Sequence, residues 1–325
     1  LTASLLNEEK KECMLLDDMM PPARQTQSTL SKIIRPYCYI HFLAKRIMKR
    51  LLVPIDFSTN TDHLLSYAIE IAAKSKAKLI LAHVFWKTIY SFETPAEIRT
   101  KEAGIRQECL KKMEELENSF AFAGKRLKME CVVRNGFVAN EIVSLVNEMN
   151  IDMVVMGTKT DCITEEALLK TITTEVIEKT SCPILVVPKG SNYHGIKKIA
   201  SAINYHDSDL LHTIELTHIA GLFGAEITLF HVSEAAYESV GVNRLGLLQS
   251  KVHDHTYYEK MYTKELEGTD PVHTMNDYVD KTQADLLVMA SPRRNFFGQA
   301  SGRNYAKQMT CHTRVPLLIF RAFDI

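Results

Sequence analysis

The segment MKRLLVPIDFS (Met48–Ser58) returns as IKKIASAINYH (Ile196–His206), and AKLILAHVF (Ala77–Phe85) returns as AEITLFHVS (Ala225–Ser233), each at an offset of 148 residues. Further along, IDMVVMG (Ile151–Gly157) returns as ADLLVMA (Ala284–Ala290), and CPILVVP returns as VPLLIFR, both at an offset of 133. An offset that holds, shortens by 15 residues and holds again describes one fold written twice, with a shorter middle in the second copy. A period this long indicates duplicated domains and not a solenoid of short repeats.

Within each copy the expected order is strand, helix, strand, long helical stretch, strand, helix, strand, helix, strand. The first-copy strands are expected near 50–55, 78–84, 127–133, 152–156 and 183–187. They are short runs rich in Val, Ile and Leu, as strands covered on both faces should be. After the first strand, Leu64, Leu65, Ala68, Ile69 and Ala72 recur at helical spacing, with Ser58 and Thr59 as cap candidates. Alternating strands and helices predict an α/β fold: two copies of a five-stranded parallel sheet wound on both faces. Such sheets take ligands at the carboxyl ends of their strands. Domains are expected over 48–190 and 195–325. The two copies are expected to pair within the chain through their fifth strands, 183–187 against 316–321, with a homodimer as a further option. Residues 1–47 show no sustained period, and Met48 is read as the natural start behind an upstream or disordered extension.

Composition narrows the function classes. Lys+Arg and Asp+Glu are 39 each, so no net field attracts nucleic acid or an anionic membrane. Seven cysteines lie scattered with no C-x-x-C pair, which predicts neither a zinc ribbon nor a disulfide scaffold and fits a reducing cytosol. No apolar run reaches the ~18 residues a membrane helix needs. HDHTYY (His253–Tyr258) places two histidines around an aspartate, but a surface loop is the expected reading. His83 and His231 hold equivalent places at the second strands and read as structural residues. Cys162 sits among acidic neighbours, which disfavour a thiolate nucleophile. Phe296, Phe297, Phe320 and Phe323 are candidates for apolar surface offered to a partner or to the other domain.

With LLVPIDFS at the first strand, AHV and FHV at the second, DMVVMGT at the fourth and SCPILVVPKG at the fifth, the chain from 48 to 325 resembles a tandem universal stress protein. The resemblance implies a Rossmann-like, adenine-nucleotide α-hydrolase-like domain, present twice. It also implies a cytosolic stress-response role, with ATP or AMP as ligand in many members and no nucleotide in others.

The family's phosphate motif is a glycine, two residues, a glycine, nine residues, then a glycine and Ser/Thr. In copy one it falls on Gly157, Thr160, Lys170 and Thr171. The middle glycines, which let backbone N–H groups approach phosphate, are gone, and β-branched Thr160 resists the conformation they adopt. Asp161, Glu165 and Glu166 bring negative charge to the same loop, each repelling a nearby phosphate by about 1 kcal/mol or more in a partly wet site. Asp56 holds the position of the family's adenosine-side aspartate, or caps its own turn. In copy two Ala290 and Arg293 replace the first two glycines, Gly302 stands one residue short of the family spacing with Arg303 in place of the hydroxyl, and Asn204 replaces the aspartate. Arg293, Arg294, Arg303 and Lys307 read as a cationic loop.

No metal is expected, and no cofactor is assigned firmly; ATP or AMP is what the resemblance leaves open. The expected function is a non-catalytic cytoplasmic stress-response factor that binds a ligand or an unidentified protein partner, with degenerate nucleotide sites. The alternatives are an ATP/AMP-binding switch with one working site and, more distantly, an adenylyl-transfer enzyme.

Overall fold

The computed structural model describes residues 48–58, 60–86, 94–122, 127–158, 171–206, 208–233, 243–291 and 305–321, without the side chains of 120–122. The extension read over residues 1–47 falls outside this set, while Met48, read as the natural start, is within it. Copy one runs β1 (Arg50–Pro54), α1 (Thr61–Ser75), β2 (Lys78–Phe85), α2 (Pro95–Phe122), β3 (Met129–Asn135), α3 (Val138–Glu148), β4 (Met153–Gly157), α4 (Ile172–Lys179) and β5 (Ile184–Val187). Copy two repeats the order: β6 (Lys198–Ala202), α5 (Asp209–Phe223), β7 (Glu226–Ser233), α6 (Arg244–Thr256), β8 (Met261–Glu267), α7 (Pro271–Thr282), β9 (Leu286–Ser291), α8 (Tyr305–His312) and β10 (Leu317–Arg321).

The ten strands form one sheet in the order β3-β2-β1-β4-β5-β10-β9-β6-β7-β8. Every pairing inside a copy is parallel, and the copies join where β5 and β10 run antiparallel. The fifth-strand junction read from the sequence is therefore present. Burial explains the sequence pattern: Leu51, Leu52 and Val53 of β1 and Val154 and Val155 of β4 are each 0% exposed. One apolar cluster crosses the junction, including Val154, Ile184 and Val186 of copy one with Leu287, Leu317 and Ile319 of copy two. Phe320, expected to offer apolar surface to a partner or to the other domain, is instead 2% exposed, because its strand lies inside the sheet and not at its rim.

All five periodic residues of α1 are buried. Its N-cap is Asn60 and not Ser58, whose carbonyl accepts from Thr61 N. α1 ends at Lys76 in the left-handed conformation (φ 57°), where the equivalent residue after α5 is Gly224 (φ 65°). Shared carboxylates tie the strands at their amino ends. Asp152 accepts from the amides of Lys49 (2.8 Å) and Arg50 (2.9 Å), and Asp285 from those of Lys197 (2.7 Å) and Lys198 (2.9 Å). HDHTYY is not a loop: His253–Thr256 form the last turn of α6, capped by Tyr257 at φ 54°. Its histidines and aspartate take up the turning face of a helix, and no metal-holding cluster of three occurs among the described residues.

Candidate functional site

In both copies the sheet order reverses beside the first strand, between β1 and β4 and between β6 and β9. Parallel sheets open a crevice at such a reversal, at the strands' carboxyl ends. Each crevice has the same wall. Phe57 and Tyr205 follow their strands in left-handed conformations (φ 57° and 60°), uncommon for aromatic residues. Phe57 packs on His83 with ring centroids 4.6 Å apart, and Tyr205 on His231 at 4.4 Å. The histidines donate from Nδ1 to the carbonyls of Ile55 (2.9 Å) and Ile203 (2.7 Å), which fixes the tautomer. They are structural, as read from the sequence. A cation from the helix after the second strand covers each aromatic ring: Lys112 of α2 at 5.8 Å from Phe57 and Arg244 of α6 at 4.5 Å from Tyr205. Copy two adds Glu265, which accepts from the Tyr205 hydroxyl at 2.8 Å. Burial, the bond to Glu265 and its charge all push the Tyr205 hydroxyl upward.

The described ligand positions of copy one have tasks inside the chain. Asp56 is exposed, and its Oδ1 accepts from Ser58 N at 3.0 Å, an Asx turn. Gly157 ends β4 against Asn60: a Cβ built there would lie 3.0 Å from Asn60 Nδ2. Thr171 is the N-cap of α4, accepting from Thr174 N at 3.1 Å and donating to Thr174 Oγ1 at 3.1 Å. Its hydroxyl is thereby engaged at the place where the phosphate motif would present one. Asn60 Oδ1 and Thr61 Oγ1 behave differently: both are buried with no hydrogen-bond partner among the described residues. Sequence reading passed over them because neither belongs to the phosphate motif. Thr160, Lys170 and Cys162 lie outside the described residues.

Copy two has moved its carboxylate. Asn204 is exposed and adds no charge, while Asp209, five residues later, is 4% exposed. Asp209 accepts from His206 N at 3.0 Å. Burial raises its pKa, and the amides of His206, Asn204 and Tyr205 and the charge of His206 pull the other way. The equivalent position in copy one is Thr61. Asp209 also lines a cavity of about 10 Å³ with Ser201, Ile203, His212, Met289 and Ala290, room for about one water. His212 packs on Phe320 (centroids 5.3 Å apart) and donates from Nε2 to Arg321 O at 2.9 Å. Burial lowers its pKa to about 4 against a partial lift from that carbonyl.

Lys307 corrects the cationic-loop reading. It sits on α8, 5% exposed, and its ammonium pairs with Glu178 of copy one. A charge read only by its place in the sequence has no direction, and the helix turns this one away from the crevice. Arg293, Arg294, Gly302 and Arg303, together with Phe296, Phe297 and Phe323, lie outside the described residues.

Among the described residues the Thr171 hydroxyl is engaged by Thr174, and Ala290 stands at the first glycine position of copy two; 159–170 and 292–304, where the phosphate motif continues, lie outside them. No helix among the described residues is long and apolar enough to cross a membrane.

Comparison with known proteins agrees with the repeated architecture. The chain is 29% identical over 152 residues to Universal stress protein MJ0531 of Methanocaldococcus jannaschii, covering 45% of this chain and 85% of that protein. A universal stress protein crystal structure from Archaeoglobus fulgidus superposes with a TM-score of 0.67 at 16% identity, over 84% of this chain and 98% of that one. A functionally unknown protein, PA1789 of Pseudomonas aeruginosa, superposes at 0.55 with 15% identity, over 86% and 94%. At these identities the two structures speak to fold alone. The sequence profile of the Universal stress protein family matches residues 48–188 and again 196–321, and the chain belongs to that family, with two of its domains in tandem.

Proposed function

We propose that this chain is a non-catalytic, cytoplasmic stress-response factor that acts by binding a ligand or a protein, with neither crevice working as an ATP site. One observation carries the reading: Asp56, Gly157 and Thr171, the described ligand positions of copy one, each serve the local fold. Ala290 and the water-sized cavity support the same reading in copy two. In a domain of this architecture sheet and helices rest on apolar burial, while loop glycines serve ligand approach, so a copy can lose the ligand and keep the fold. Isothermal titration of the full chain with ATP and AMP tests it. The expected result is no binding heat with either nucleotide up to about 1 mM, a loss of more than ~4 kcal/mol against a micromolar site. Binding at micromolar concentration refutes it, and turnover of ATP refutes the non-catalytic assignment as well.

A second reading has its own support. Asn60 Oδ1 and Thr61 Oγ1 are buried without partners beside Gly157, at the reversal point of copy one. Buried polar groups are rarely left unsatisfied without a water or a ligand. An ATP/AMP-binding switch using copy one alone would bring donors to these atoms, and the same titration separates it from the first reading.

A further inference from the structure

We propose that Glu178, Lys307 and Arg321 form a cross-copy clamp that sets the register in which the two halves join. The junction itself specifies register weakly. Only Leu317↔Val186, Leu318↔Leu185 and Ile319↔Ile184 pair across it. All six are buried aliphatic residues. A slip of two residues keeps every side chain on its own face of the sheet and exchanges one aliphatic contact for another.

The charged groups tolerate no such exchange. Lys307 projects from α8 of copy two to the carboxylate of Glu178 on α4 of copy one, with 6% of its side chain exposed. Arg321, at the end of β10, donates from Nη1 to the carbonyls of Ile177 (2.6 Å) and Glu178. Those carbonyls belong to the last turn of α4, where the helix dipole concentrates negative charge. Two cations of one copy thus close on one carboxylate and one helix end of the other. Burial and the charge of Arg321 both lower the Lys307 pKa, and Glu178 places a carboxylate directly on its ammonium. His212, bonded to Arg321 O and packed on Phe320, holds the strand end that presents Arg321.

A two-residue slip moves β10 along β5 by about 7 Å, at ~3.4 Å per residue. Lys307 would then be buried away from its partner and the α4 carbonyls would lose theirs. Lys307 is the buried member, while the Glu178 side chain keeps 32% exposure. Removing the partner of a buried charge is strongly destabilising, whereas replacing both charges with apolar residues often is not, and setting register is the best-attested use of such groups. The clamp accordingly acts against misjoined states more than it adds to the stability of the correct one.

Disulfide trapping in the full chain tests this. Leu185→Cys with Leu318→Cys reports the native register, and Val187→Cys with Leu318→Cys reports a two-residue slip. Each pair is mildly oxidised, and the bridged peptides are assigned by mass spectrometry so that bridges to native cysteines are excluded. With the clamp intact, the slipped pair is expected at less than about a tenth of the native yield. With Glu178→Leu and Lys307→Met together, it should rise at least threefold while the thermal midpoint stays within a few degrees. Arg321→Met, which leaves the Lys307–Glu178 pair in place, should give a smaller rise in the same direction and decides the matter if the double variant does not fold. Bridging that stays confined to the native pair in the clamp variants overturns the proposal.

Discussion

Acid should loosen copy two through one residue, His212. Its pKa in the folded chain is lowered to about 4 from an ordinary 6.5, chiefly because the ring is buried. The folded value lies below the unfolded one, so the unfolded chain takes up the proton first as pH falls. The stability that the neutral ring preserves is complete above the unfolded pKa and is lost as pH drops from about 6.5 towards about 4. A shift of this size corresponds to about 3 kcal/mol at full protonation, and to about 2 kcal/mol already at about pH 5. The neighbouring Asp209 works the other way, because its raised pKa lets the folded chain gain protons on acidification. A comparison of variants separates the two. Leu64 holds the equivalent place in copy one and is 4% exposed, so His212→Leu copies a side chain that the fold already accommodates. The substitution forfeits the bond to Arg321 O, about 1 kcal/mol at neutral pH. Urea denaturation at about pH 7 and pH 5 should show the native chain losing about 2 kcal/mol more than His212→Leu over that interval. Equal losses in the two proteins, or an imidazole signal for His212 titrating near 6.5 by NMR, would refute the reasoning.

Lys76→Gly should stabilise the chain by roughly 0.5–1 kcal/mol, seen as a higher urea midpoint at unchanged slope, because it gives α1 the left-handed glycine that ends α5 at Gly224. Asp152→Ala and Asp285→Ala should each cost roughly 2 kcal/mol in the same assay, since each leaves two strand-start amides without their charged acceptor.

The backbone plan was legible because its signals are local and doubled. Runs such as LLV and VVM are apolar throughout, as only strands covered on both faces can be, and the constant offset showed which run corresponds to which. The junction of the halves, expected at the fifth strands, is where β5 and β10 pair. What escaped were side chains whose roles depend on distant partners. Lys307 reads as a loop cation until α8 turns it toward Glu178, 129 residues away in sequence. Phe320 reads as surface for a partner or the other domain until the fold packs it on His212 of its own copy. Ser58 reads as a cap, but α1 begins at Thr61 with Asn60 as its N-cap.

The carboxylates of the two crevices are less legible in the sequence. Asn204 stands at the position of Asp56 and adds no charge. The crevice in fact retains a carboxylate, contributed from Asp209 on the first turn of α5, where its oxygen takes the amide of His206. In copy one Asp56 takes the amide of Ser58 from the strand end. Both solutions quiet the backbone donors that follow the first strand, but they differ in what they leave at the surface. Asp56 remains exposed at the mouth of its crevice, whereas Asp209 is enclosed beside a cavity the size of a water. The shared histidine-to-isoleucine carbonyl bonds and the aromatic rings packed on them show that the wall of both crevices is built the same way. The groups at the two reversal points differ: copy one has exposed Asp56, Gly157 and, without partners among the described residues, the buried Asn60 Oδ1 and Thr61 Oγ1, whereas copy two encloses Asp209 beside Ala290 and the likewise unpartnered Ser208 Oγ.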